Sequence, residues 1–116
     1  MRHQKKKVTL DRARAPRMAL LRNLAESLVL NERITTTKAK ARATRSLVER
    51  LVTKAKVNSL AVRRDLMGTL YTKKAIDKLL SDLGPRFAER KGGYTRIISL
   101  KNRVGDGAEE VLIEFV

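Results

Sequence analysis

Residues 85–100, PRFAERKGGYTRIISL, set Arg86, Arg90, Lys91 and Arg96 around an adjacent glycine pair, Gly92–Gly93, with Tyr94 directly after it. Cations beside backbone without Cβ atoms are suited to a ribose-phosphate chain, because the main chain can come close or take positive φ while the side chains neutralise phosphates. Tyr94 offers a ring for an unpaired base or a hydroxyl for a phosphate. The same residues also suit a plain helix-to-sheet turn with the tyrosine filling the core. Both readings can hold together.

Catalytic chemistry has little to work with. The one histidine, His3, stands in a basic segment, and with no cysteine and no second histidine there is no nucleophile or metal set. RKGGYTR lacks the glycine-lysine-serine/threonine ending of a nucleotide phosphate loop. The expectation is no enzyme, no cofactor, no metal and no small-molecule substrate.

Charge points the same way. The chain has 116 residues and 27 Lys/Arg against 12 Asp/Glu, a net +15 that repels itself unless a polyanion neutralises it. The excess is uneven: residues 1–56 hold 16 basic and 4 acidic groups, residues 57–116 hold 11 and 8. Nucleic acid is the expected partner and the amino-terminal half its main contact. Absence of cysteine fits a reducing, cytoplasmic setting, and no apolar run approaches the ~20 residues that cross a bilayer.

The elements that would position these residues follow from periodicity. MRHQKKKVTLDRARAPR is too poor in apolar residues to pack, so residues 1–15 are expected as an extended basic arm, ordering on RNA through Arg2, His3, Lys5, Lys6, Lys7, Arg12 and Arg14, with Arg17 just beyond. Residues 16–116 are expected as a single domain. Pro16 suits a first helical turn, and Met18, Leu21, Leu24, Ala25 and Leu28 recur at helical spacing opposite Arg22 and Glu26, predicting a helix over 16–31. RITTT, with four β-branched residues in a row, predicts a strand at 33–37.

Thr37 can cap a helix over 38–56, whose stripe Leu47, Val48, Leu51, Val52 and Ala55 lies opposite Lys38, Arg42, Arg45, Glu49 and Lys56. One face packs while the other meets an anion. Two shorter helices follow, capped by Ser59 and Thr72, the second stopped by a left-handed Gly84 and by Pro85. YTRIISL and EVLIEFV then read as strands around a Gly-Asp-Gly turn, with Val111, Ile113 and Phe115 sharing a face opposite Glu110, Leu112 and Glu114. The sum is a two-layer α+β domain in the order helix, strand, three helices, two strands, a small mixed sheet packed on helices.

MRH at the start, LLRNLAESLV at 20–29, RITTTKAKA at 33–41, LGPRFAERKGGYTRI at 83–97 and GDGAEEVLIEF at 105–115 together resemble the bacterial-type large-subunit ribosomal protein family numbered seventeen. The resemblance implies a non-catalytic constituent of the 50S subunit in translation, bound to 23S rRNA beside other large-subunit proteins. It implies RNA-facing roles for Arg2, His3, Thr35, Thr36, Lys40, Arg86, Arg90, Gly92, Gly93, Tyr94, Thr95 and Arg96. Residues 7–17 depart from the family pattern, and 57–75 follow it loosely. The competing classes are a free DNA- or RNA-binding protein of the nucleoid or chaperone kind, for which no groove-reading motif is present, and a membrane-active cationic chain, disfavoured by the absence of Trp.

Overall fold

The structure, a computed structural model, describes residues 9–116. Helix α1 spans Arg14–Asn31. It starts two residues ahead of Pro16, which sits in the first turn where its missing N–H has no intrahelical partner to lose. Glu32 ends the helix in the left-handed region at φ 66°, its N–H returning to the Leu28 carbonyl at 2.8 Å. That reversal feeds strand β1, Arg33–Thr37, which leads without a loop into α2, Lys38–Ala55.

Thr37 precedes α2 with extended backbone, but its side chain makes no capping bond, contrary to the sequence expectation. It is still a strand residue, paired with Glu110, and the ladder rather than the helix sets its conformation. Ser59 and Thr72 do cap: their hydroxyls accept from Val62 N–H (3.2 Å) and Ala75 N–H (3.4 Å), opening α3 (Leu60–Met67) and α4 (Lys73–Lys78).

Gly84 does not stop the helical run. Helix α4 continues through a π-helical turn, Leu79–Leu83, into a single further turn α5, Gly84–Arg86, with Gly84 right-handed at φ −57°. The glycine is required for a different reason: a Cβ there would stand 2.4 Å from the Ala55 carbonyl oxygen of α2. Close helix–helix approach, not chain reversal, selects the residue. Pro85 follows in the first turn of α5, and the chain leaves the helical run only after Arg86.

Strands β2 (Thr95–Asn102) and β3 (Glu109–Phe115) complete a sheet of order β1-β3-β2 in which both pairings are antiparallel. The sheet expected to be mixed is therefore wholly antiparallel. The β2–β3 connection is a hairpin, and the last strand enters between its partner and β1 as the centre of the sheet. Val111, Ile113 and Phe115 face the helices and are buried, as the alternation predicts. On the other face Glu114 lies in register with Arg33 on one side and Arg96 on the other, its carboxylate 3.8 Å and 2.8 Å from their guanidinium nitrogens.

Helices cover one face of the sheet, giving the two-layer α+β arrangement. The core joins Leu28 and Val29 of α1, Val48, Leu51 and Val52 of α2, Leu79 and Leu83 of the π turn, and Ile113. In α1 the apolar stripe is buried only at its carboxyl-terminal end, and Met18 remains 39% exposed. Glu26, expected on a solvent face, instead accepts hydrogen bonds from the Thr72 N–H (2.7 Å) and hydroxyl (2.8 Å), tying α1 to the start of α4. Among the described residues no helix is long and apolar enough to cross a membrane.

Candidate nucleic-acid interface

Helix geometry places Arg42, Ser46, Glu49, Arg50 and Thr53 along one outward stripe of α2, because positions three and four apart stack on the same side. The carboxyl-terminal half of that stripe faces the glycine-pair loop. Between them runs a groove of about 670 Å³, lined by Ser46, Glu49, Arg50, Thr53 and Lys54 from the helix, the last paired with Asp65 at 2.8 Å, and by Gly92 and Tyr94 from the loop. Segments forty residues apart in sequence thus form one surface.

Both glycines of the loop have positive φ, 103° at Gly92 and 62° at Gly93, and a Cβ at Gly92 would meet nothing within 4 Å. Backbone conformation is what excludes side chains here, and the space above the loop is open. Two internal contacts hold its shape: Arg90 Nε donates to the Gly93 carbonyl at 3.1 Å, and the Lys56 ammonium donates to the Arg90 carbonyl.

Tyr94 lies beneath this loop. It is only 2% exposed; its ring packs 5.2 Å from the Phe87 ring, and its hydroxyl is 3.1 Å from the Thr53 hydroxyl. The Lys56 ammonium stands 4.9 Å from the ring centroid. Lys56 first, then Thr53, hold the phenol below the ordinary tyrosine pKa. A ring so enclosed has no face left for a base, so Tyr94 supports the groove from below. Tyr94→Phe is therefore expected to cost about 1 kcal/mol of stability through the lost hydroxyl bond, measured by urea unfolding, while RNA affinity of the folded variant stays at the parent value. A folded variant that loses affinity would place the hydroxyl on the ligand.

The cations sort into two groups by their partners. Arg86 is engaged by Glu32 (2.6 Å) and Asp82 (3.0 Å), which with the Glu32 hydrogen bond foremost raise its pKa, and Arg96 is held by Glu114 (2.8 Å). Lys38 has a looser pairing with Glu109 at 3.6 Å. Thr95 is buried, its N–H and hydroxyl directed at the Glu49 carboxylate at 3.4 Å. By contrast Arg12, Arg14, Arg17, Lys40, Arg42, Arg45, Arg90 and Lys91 have no carboxylate within ion-pair distance among the described residues. Thr35 and Thr36 lie on the edge strand β1, Thr35 exposed and Thr36 half-buried. Arg2, His3, Lys5, Lys6 and Lys7 lie outside the described residues.

Lys56, expected on the anion-facing side of α2, is instead turned to the Arg90 carbonyl and the Tyr94 ring, whereas Arg50 is a candidate that the sequence reading does not single out. Arg50 lines the groove, its Nε donating to the Ser46 carbonyl at 3.3 Å, and no acid engages it. Its position eight residues after Arg42, two helical turns along one stripe, was the available signal. Among the described residues no three His, Asp or Glu side chains gather as a metal site.

Residues 20–116 match the family model described as Ribosomal protein L17. Over its whole length the chain is 50% identical to the large ribosomal subunit protein bL17 of Hydrogenobaculum sp., covering 99% of that protein. It is 49% identical to the protein of the same name from Solibacter usitatus, of which it covers 77%, and 48% identical to that of Gemmatimonas aurantiaca, of which it covers 98%. With a family model matching most of the chain and relatives near half identity end to end, the chain belongs to the ribosomal protein L17 family.

Proposed function

We propose that the chain is a structural, non-catalytic constituent of the large (50S) ribosomal subunit that binds 23S rRNA beside neighbouring large-subunit proteins in the cytoplasm. The observation that carries the reading is the segregation of charge. Cations needed for folding are paired with acids, whereas those along the outer stripe of α2 and in the 90–93 loop have no such partner among the described residues, and one of them, Arg50, lines the groove between helix and loop. Unpaired cations at fixed positions neutralise phosphates at little cost in rearrangement. The domain at 16–116 supplies this rigid surface, and the basic residues before it extend the contact along the backbone. Family membership, through relatives named as large-subunit proteins, supports the assembly.

Sedimentation tests it. In lysate run through sucrose at low magnesium, the tagged chain is expected in the free 50S peak; recovery only at the top of the gradient, or with chromatin, would overturn the proposal. With purified 23S rRNA, log affinity is expected to fall with log salt, and deleting residues 1–8 should reduce the slope by roughly 0.7–0.9 for each phosphate contact removed.

A further inference from the structure

We infer that the cleft between α3 and the start of α4 receives one unstacked nucleobase of the RNA, with Tyr71 as the stacking platform. The inference rests on the RNA-binding reading above and adds a contact away from the α2 groove. The cleft, about 270 Å³, has buried Leu70 and Ile76 behind it, Met67 and Tyr71 as exposed walls, and Arg63 and Lys73 at its lining.

The chain has four aromatic residues, two Tyr and two Phe, and Phe87, Phe115 and Tyr94 are all buried. Tyr71 alone presents its ring, 53% exposed beside a Met67 that is 60% exposed. Its backbone is held in place, since the next residue, Thr72, donates twice to Glu26 and caps α4. A fixed, exposed aromatic ring is the element that stacks on an unpaired base.

Charge selects the occupant. Of the two cations lining the cleft, Arg63 is joined to Asp77 at 2.6 Å, but Lys73, like Arg64 and Lys74 next to these two in sequence, has no carboxylate within ion-pair distance among the described residues. An apolar segment of a neighbouring protein would cover Tyr71 and Met67 and leave those cations without counter-charge. A nucleotide supplies both a flat ring and a phosphate.

Two readouts on intact material test the inference. Binding to refolded 23S rRNA should be retained by Tyr71→Phe and weakened roughly tenfold by Tyr71→Leu, which keeps apolar bulk but has no π-face. Ultraviolet irradiation of 50S subunits containing the chain, followed by nuclease and trypsin, should yield a nucleotide adduct on the 65–73 peptide. Full affinity in Tyr71→Leu, or a cross-link from this peptide to another protein, would overturn the nucleobase assignment while leaving rRNA binding intact. Failure of the parent chain to bind 23S rRNA or enter the 50S peak would overturn both readings.

Discussion

Gly84→Ala should lower the free energy of unfolding by about 3 kcal/mol, the upper part of the range for overpacking a closed interior, and the melting temperature by roughly 10 °C. The cause is local and severe. The added methyl would meet the Ala55 carbonyl oxygen at 2.4 Å and its carbon at 3.0 Å, with the Leu79 oxygen at 3.1 Å on the other side. These are backbone atoms of two packed helical segments, so relief requires α5 to move off α2, and Leu83 and Phe87 flank that contact in the core. Gly93→Ala is the comparison: nothing crowds its Cβ beyond the Arg90 guanidinium at 4.0 Å, and only its φ of 62° is unfavourable, a cost of ~1 kcal/mol. Equal melting temperatures for the two alanine variants would mean that the close approach of α5 to α2 does not exist.

Replacing Arg42, Arg45 and Arg50 together by alanine should weaken 23S rRNA binding roughly 100-fold at low salt and lower the log–log salt slope by about two to three, since each phosphate contact contributes ~0.7–0.9. Their side chains have no acid partner, so stability should change little. Arg86→Ala and Arg96→Ala are expected to behave in the opposite way, leaving the salt slope at the parent value and lowering stability by about 1 kcal/mol each, because both guanidiniums bind carboxylates of the fold. The Arg86 effect has a pH signature. Hydrogen bonding to Arg86 depresses the Glu32 pKa, so the pair stabilises the fold above the ordinary glutamate range, and this contribution is lost as pH falls from that range through the depressed folded-state value. Parent and Arg86→Ala should therefore converge in stability in acid. A slope that drops for Arg86→Ala but not for the α2 triple variant would reverse the assignment of structural and RNA-binding cations.

Much of the architecture was legible in the chain because local patterning and packing agree. The spacing of Val48, Leu51, Val52 and Ala55, the alternation of Val111, Ile113 and Phe115, and the hydroxyls of Ser59 and Thr72 each describe a requirement satisfied within a few residues. Their elements form where expected. The readings that changed concern Thr37, whose local capping preference yields to the strand ladder, and Gly84, whose usual role as a helix terminator yields to contact with a residue nearly thirty positions away. Strand direction also lay beyond local reading, since β1 meets β3 only after all the helices have been laid down.

The candidate site divides along the same line. Sequence alone determined the excess of positive charge, its concentration toward the amino terminus, the outward stripe of α2 and the backbone freedom at Gly92–Gly93, because charge is additive and helical phase is periodic. Tertiary structure alone decided which cations are left without an acid partner among the described residues. Arg86 and Arg90 are four residues apart and alike in type, yet one meets Glu32 from the end of α1 while the other orders the glycine loop. Tyr94 and Tyr71 are likewise indistinguishable as residues, but the Phe87 ring and Thr53 enclose the first while the second stands exposed beside an open cleft. Burial and pairing depend on what the rest of the chain brings within a few ångströms, and those distances are set only when helices and sheet pack together.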